Sequence, residues 1–291
     1  TNTLNLVFSG ASRRGKTYCS VGETIEAYID YKAQQELSGD TAVDETMYRT
    51  QHAGVLPRIL HEVHKTLGSS NSLAHFTVQI RSVQVRPSQG NQSGSNDSLN
   101  DLLAVGQAKV TIGGDNYVHG LSKVVIGSAV EAIALFESCY ENDEYLEGLA
   151  KKLNFNKNRF LKYSHVCNII EICDNSTVKQ DDERDKKKNK ALDRFPDDSG
   201  PTVKGRIVVV DLAPPLATSD HSENAASPNS TLQALHQCLR ALASNGMQQS
   251  KNNHVPFRSA TLTQVLARTL GCKNANTLLI SCIDLDQNSN Q

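Results

Sequence analysis

The 291-residue sequence contains no tryptophan and only two methionines, and its formal net charge is −1. A chain this close to neutrality has no overall charge that would attract nucleic acid or an anionic membrane, so we expect neither partner. No apolar run reaches the roughly 18 residues that a transmembrane helix needs, and the chain has no basic-then-apolar leader. We therefore expect no membrane insertion, and partners must be recognised by local sites.

The seven cysteines form no C-x-x-C pair, and their number is odd. This pattern argues against both a disulfide framework and a zinc site. A reducing cytosol is the compartment that such cysteines indicate, so we expect a cytoplasmic protein.

Helical and strand-like patterns alternate along the chain. Apolar residues recur at helical spacing in segments 54–67, 128–139, 231–243 and 260–270. Runs rich in valine, isoleucine or leucine predict strands at 4–8, 76–85, 166–173, 206–211 and 277–283. The interleaving predicts a single α/β domain over residues 1–291, with helices on both faces of a parallel or mixed central sheet. Segments 88–98 and 175–204 are rich in small polar or charged residues and are predicted to be surface loops.

A phosphate-loop pattern, G-x-x-x-x-G-K-[ST], directly follows the first predicted strand. It is formed by Gly10, Ala11, Ser12, Arg13, Arg14, Gly15, Lys16 and Thr17. Backbone N–H groups of such a loop surround phosphate, the lysine adds a mobile positive charge, and the hydroxyl of Thr17 can reach Mg²⁺. The strand at 206–211 ends in Asp211, whose carboxylate can hold the same ion through water. These residues predict a site for a nucleotide with Mg²⁺.

Several segments resemble, in the same order, motifs of the kinesin motor domain. The most specific runs from His254 to Arg258, with Leu262-Thr263 and Leu266 behind it, and looks like H-V-P-Y-R-D-S-K-L-T-x-x-L. Three further segments are similar to G-I-I-P-R, to the end of S-S-R-S-H and to the start of D-L-A-G-S-E, namely 54–58, 164–165 and 211–213. The resemblance extends from residue 3 to about residue 284.

This resemblance implies the three-layer α/β sandwich of phosphate-loop NTPases, a microtubule partner and a cytoskeletal location. A kinesin head also carries an N-terminal portion with an R-x-R-P segment, and a last helix with a neck linker. Neither is found in this sequence, so we expect a motor domain truncated at both ends. Its cargo and any flanking coiled coil are not encoded in these residues.

The switch motifs depart from the family pattern. In the family, a switch I serine serves Mg²⁺ and the γ-phosphate, and an arginine beside it pairs with a switch II glutamate. The two switch I positions align with Lys162 and Tyr163; in switch II, a glycine and the glutamate align with Pro214 and Leu216. Proline has no N–H to offer the γ-phosphate, and losing one preorganised donor slows catalysis about 10²- to 10³-fold. We therefore assign no catalytic residue and predict weak nucleotide binding with little or no hydrolysis.

The face that the resemblance assigns to microtubules has few positive charges. No lysine or arginine occurs from residue 213 to residue 239, and the cations available on this face are Arg240, Lys251, Arg258, Arg268 and Lys273. Electrostatic steering toward acidic tubulin is weaker with fewer cations, so we expect weak microtubule binding. For Arg258, a partner contact and an ion pair at the edge of the core are equally good interpretations.

The leading interpretation is a kinesin head that binds and scaffolds microtubules without ATP-driven stepping. One alternative is an active microtubule-stimulated ATPase motor in which Arg13 or Lys162 replaces the lost charge. Another is an unrelated phosphate-loop hydrolase or kinase, which would leave the segment from His254 to Leu266 unexplained. We interpret His165 and His254 as structural hydrogen-bonding residues rather than ligands.

Overall fold

A mixed β-sheet runs through the described part of the chain. In the computed structural model this part comprises residues 1–10, 19–20, 53–69, 75–86, 97–104, 109–128, 131–132, 135, 164–176, 202–214, 228–247 and 254–282. The strands within it are β1 (Asn2–Gly10), β2 (Phe76–Arg86), β3 (Ser98–Asp101), β4 (Thr111–Ile112), β5 (Val118–His119), β6 (Val124–Ile126), β7 (His165–Asp174), β8 (Thr202–Asp211) and β9 (Ala275–Cys282).

Seven of these described strands form one sheet in the order β3-β2-β7-β8-β1-β9, with β6 paired to β2. β1 lies between β8 and β9 and is parallel to both. The pairs of β2 with β3, β6 and β7, and of β7 with β8, are antiparallel. β4 and β5 form a separate two-stranded hairpin. The prediction of a mixed central sheet is therefore confirmed.

Helices cover both faces of this sheet. Within the described residues they are α1 (Val55–Gly68), α2 (Pro228–Met247) and α3 (Thr261–Leu270), and a 3₁₀ turn at Phe257–Ser259 precedes α3. Successive side chains of a strand point to opposite faces. Accordingly, Val7 packs in the core that includes Leu235 and Leu262, whereas Phe8 packs in the core that includes Leu56. The predicted three-layer sandwich is present.

The sequence signature before α3 has a structural reason in Thr263. This side chain is fully buried. Its hydroxyl donates to the Phe257 carbonyl at 2.7 Å and accepts from the Ala260 N–H at 3.1 Å. The second bond satisfies a backbone donor at the start of α3, which has no earlier turn to bind it. Thr263 thus holds the 3₁₀ turn against the helix.

Two strands begin inside segments that were predicted to be surface loops. β8 starts at Thr202, inside the predicted loop 175–204, because its first half is held by ion pairs rather than by apolar alternation. Lys204 Nζ lies 3.4 Å from an oxygen of Asp174 on β7. Similarly, β3 begins at Ser98, the last residue of the predicted loop 88–98. Most of these two loops, and most of the predicted helix 128–139, lie outside the described residues.

Candidate functional site

The predicted nucleotide site lies where β1 and β8 end. The two strands are parallel neighbours with Phe8 opposite Asp211, so Gly10 and Asp211 meet at the same edge of the sheet. Cys19 and Ser20 are helical. The end of β1, the helical residues that come later in the chain and the aspartate at the end of the neighbouring strand are compatible with a phosphate loop and Mg²⁺.

Gly10 is the one residue of the predicted phosphate loop that the structure describes; Ala11, Ser12, Arg13, Arg14, Gly15, Lys16 and Thr17 lie outside the described residues. Gly10 has φ +143°, and a Cβ at this position would lie 2.3 Å from the carbonyl oxygen of Cys282 on β9. Both the backbone conformation and the close approach of β9 therefore require glycine here. Gly10 and Asp211 fit a site for phosphate and Mg²⁺, although ligation by Thr17 stays a prediction.

His165 joins the two predicted switch segments. It begins β7 and is fully buried, and its Nδ1 accepts a hydrogen bond from the backbone N–H of Ala213 at 3.0 Å. Burial lowers the pKa of His165 from its ordinary value of 6.5 to about 4, so the ring is neutral at pH 7. Because Nδ1 accepts, the proton belongs on Nε2. His165 is thus the structural hydrogen-bonding residue that its motif predicted.

The segment after β8 is packed tightly against β1. The N–H of Leu212 donates to the Phe8 carbonyl at 3.0 Å, and Leu212, Ala213 and Pro214 are all buried. Pro214 therefore occupies a fixed place immediately after the residue bound to His165, and it offers no N–H. Lys162, Tyr163 and Leu216 lie outside the described residues, so the loss of the switch ion pair stays a prediction.

Four of the five residues predicted to contact microtubules are described, and two of them bind a hairpin that the sequence motifs did not include. Arg240, Arg258, Arg268 and Lys273 are exposed, whereas Lys251 lies outside the described residues. Arg258 Nη2 donates to the Gly114 carbonyl at 3.3 Å. Arg268 Nη1 lies 3.7 Å from Asp115 Oδ2, and its guanidinium carbon lies 5.1 Å from the centre of the Tyr117 ring.

The hairpin β4–β5 could have been found from the turn sequence Gly113-Gly114-Asp115-Asn116, which favours a tight reversal. Its two strands contain two residues each, which is too short for an alternating pattern to be seen. In the part of the chain that the structure describes, the exposed Arg258 side chain binds a carbonyl of its own chain rather than forming an ion pair, and its contact with a partner stays a prediction.

Among the described residues, no group of three or more His, Cys, Asp or Glu side chains could hold a metal ion. No helix within the described ranges is long and apolar enough to span a membrane.

Comparison with known proteins gives kinesins among the relatives of this chain. Kinesin-like protein KIN-1 of Arabidopsis thaliana is 26% identical over 239 residues, covering 79% of this chain and 43% of that protein. Kinesin-related protein 5 of Dictyostelium discoideum is 25% identical over 298 residues, covering 96% of this chain and 26% of that protein. The chain thus spans less than half the length of these curated relatives.

The fold agrees with these sequence relatives. The solved structure of a fast kinesin superposes with a TM-score of 0.59 at 19% identity, covering 97% of this chain and 64% of that chain. A family model described as the kinesin motor domain matches residues 5–291. With the mixed sheet, the phosphate-loop edge and the buried switch contact in place, this match shows that the chain belongs to the kinesin motor domain family.

Proposed function

We propose that this chain is a kinesin head that binds microtubules and holds ATP or ADP with Mg²⁺ weakly, hydrolyses it little or not at all, and serves as a scaffold or tether. The observation that carries this proposal is Pro214. It is buried directly after the residue bound to His165, at the position from which the family offers an N–H to the γ-phosphate. Because proline has no N–H, another group would have to make a new hydrogen bond to the γ-phosphate to replace this donor.

Ground-state binding of nucleotide needs less than hydrolysis does. The backbone at the end of β1 and the carboxylate of Asp211 lie at one edge of the sheet, where residues 10–17 would surround the phosphates. In this proposal Lys16 adds charge, and Thr17 and Asp211 hold Mg²⁺, the latter through water. The bound ion would supply charge neutralisation to the phosphates. In this proposal the groups lost from the switch segments, including the N–H at position 214, are those that stabilise the transition state.

Microtubule binding would use the face formed by α2, α3 and the β4–β5 hairpin. Four exposed cations on this face, Arg240, Arg258, Arg268 and Lys273, support it. Two of them already contact the hairpin, one of them through the carboxylate of Asp115. Part of their charge is therefore compensated within the chain, which supports weak and salt-sensitive binding. A location on the cytoskeleton in the cytoplasm would follow.

The test measures phosphate release and co-sedimentation together, using the protein with taxol-stabilised microtubules, ATP and Mg²⁺. We expect sedimentation at low salt, with phosphate release near the background rate. Turnover that rises strongly with microtubules would instead support the competing function, an active motor in which Arg13 or Lys162 supplies the lost charge. Failure to sediment at low salt would remove microtubules from the proposal.

A restoration variant makes this test sharper. Tyr163→Arg, Pro214→Gly and Leu216→Glu together would return the switch ion pair and the missing N–H. We expect phosphate release to rise at least tenfold, since one preorganised donor alone is worth about 10²- to 10³-fold. Tyr163→Arg with Pro214→Gly, without Leu216→Glu, is the matched control, because the new arginine then has no carboxylate partner.

A further inference from the structure

A cavity of about 480 Å³ lies between the β4–β5 hairpin, the sheet and α3. Its volume is within the range of about 300 to 1,000 Å³ that is typical of pockets for small molecules. Among the described lining residues, none belongs to the nucleotide edge at Gly10 and Asp211. This space, called the hairpin cavity below, is therefore separate from the site proposed for ATP or ADP.

Positive charge predominates in the lining of the hairpin cavity. Among the described residues of the lining, four side chains are cationic and two are carboxylates, an excess of two positive charges with His119 counted as neutral. The cations are Arg81, Lys123, Arg206 and Arg268, and the carboxylates are Asp115 and Glu171. An anion bound in this partly enclosed space would lie close to these cations and would be stabilised by them.

The excess is concentrated around Glu171, whose side chain is only 3% exposed. Its two oxygens accept from both neighbouring arginines. Oε2 accepts from Arg81 Nη2 at 2.8 Å, and Oε1 accepts from Arg206 Nε at 3.0 Å and Nη2 at 2.7 Å. One carboxylate thus serves two guanidinium groups, whose side chains are 11% and 22% exposed.

Arg206 has hydrogen-bonding capacity left over. Its Nη1 donates to no residue within the part of the chain that the structure describes. A guanidinium binds phosphate and carboxylate oxygens through paired, charge-assisted hydrogen bonds. Beside this polar end, the hairpin cavity has an apolar wall formed by Val118, Leu121, Ile169, Val203 and Val265.

We propose that the hairpin cavity binds a small phosphate ester, with its dianion at Arg206 and Arg81 and its apolar body along this wall. The proposal goes beyond the proposed function and does not depend on it. Because the cavity is walled by both the hairpin and α3, such a ligand would join α3, which carries Arg268, to the hairpin that Arg258 and Arg268 both contact.

The test uses phenyl phosphate as the probe, with phenol and inorganic phosphate as comparison probes. Titrations follow the backbone amide resonances of residues 117–120 on the hairpin. They are carried out on the Lys16→Ala variant, so that the phosphate loop does not compete for the probe. We expect saturable shifts with phenyl phosphate, weaker binding of inorganic phosphate, and no binding of phenol at the same concentrations.

Three variants locate the site. Arg206→Gln should weaken phenyl phosphate binding at least about tenfold, because it removes charge-assisted hydrogen bonds. Val203→Phe should also weaken phenyl phosphate binding, because the larger side chain fills the half-buried end of the hairpin cavity while every charge is retained. If Arg206→Gln fails to fold, Val203→Phe is the variant that tests the site. Arg240→Gln, which removes an exposed arginine on α2 outside the cavity, should leave affinity unchanged.

Either of two results would overturn the proposal. The first is the absence of saturable hairpin shifts with phenyl phosphate in the folded protein. The second is an affinity that Val203→Phe leaves unaltered, or that phenol matches. Neither result bears on nucleotide binding at the phosphate loop, which Mg²⁺ and ADP titrations of the protein with Lys16 intact would measure separately.

Discussion

His165 Nδ1 accepts a hydrogen bond from the Ala213 N–H at 3.0 Å, in a place where the histidine side chain is fully buried. The bond connects the first residue of β7 to the segment that follows β8. Because His165 lies next to the predicted switch I residues and Ala213 next to Pro214, the two switch segments are fixed to each other through a neutral imidazole.

This buried histidine predicts a pH dependence of stability. A histidine whose pKa is about 4 when folded and 6.5 when unfolded takes up a proton on unfolding between these values. The free energy of unfolding therefore falls as pH falls below 6.5. We expect this group to remove about 2 kcal/mol between pH 7.5 and pH 5, measured by urea unfolding at both values.

His165→Gln should lose this part of the pH dependence, in addition to any uniform loss of stability. His254→Gln is the matched control, since His254 is exposed. If the free energy of unfolding changed equally between pH 7.5 and pH 5 in the wild type and in His165→Gln, His165 would not be the source of the pH dependence.

Gly10→Ala should destabilise the protein by more than about 2 kcal/mol. Its new methyl group would overlap the Cys282 carbonyl, and the backbone conformation at φ +143° is strained for alanine. Gly68→Ala is the control, because nothing lies within 4 Å of its added Cβ at the end of α1, and it should be neutral or slightly stabilising. Thermal and urea unfolding of both variants would measure the contrast; similar values for the two would contradict it.

Glu171→Gln should cost about 3 to 5 kcal/mol of stability, because it leaves two largely buried arginines without their shared carboxylate. Glu62→Gln removes a carboxylate from a pair with Lys65 in which both side chains are about two-thirds exposed. That change should cost less than about 0.5 kcal/mol. Urea unfolding of the two variants at one pH compares the pairs, and a loss below about 1 kcal/mol for Glu171→Gln would be inconsistent with the strong pairing described.

Leu262→Ala should lower the free energy of unfolding by about 2 to 5 kcal/mol, since the side chain is fully buried beneath α3 and its removal leaves a cavity. Leu278→Ala changes a leucine that is 56% exposed on β9 and should have a much smaller effect. If chemical denaturation gave equal losses for both, β9 would be covered in solution by something the isolated structure does not include.

The sequence predicted those elements whose hydrophobic period is undisturbed. Helix α1 and strand β7 differ from their predicted bounds by a residue or less at each end. Helically spaced apolar residues bury one face of α1, and β7 is a run of residues rich in valine and isoleucine that is buried on both faces. The start of β8 was not predicted, since Lys204 and Arg206 there are held by carboxylates of β7 rather than by the core.

The candidate site was predictable to a similar degree. Gly10 and Asp211 follow from motif spacing, and parallel pairing brings them to one edge. The hairpin contacts of Arg258 and Arg268 depend on residues more than 140 positions away and leave no local pattern. Glu171 and its two arginines also leave no local pattern, because the placement of β7 between β2 and β8 is a property of the sheet order.

The position of β1 also bears on how the protein is made. Thr3 pairs with Arg206 on one side and with Ala275 on the other. During synthesis on the ribosome, β1 therefore lacks one neighbour until β8 has been made and the other until β9 has been made. Such distant contacts slow folding and prolong the exposure of open strand edges. Nascent chains that stop before residue 275 should thus depend on chaperones to remain unaggregated.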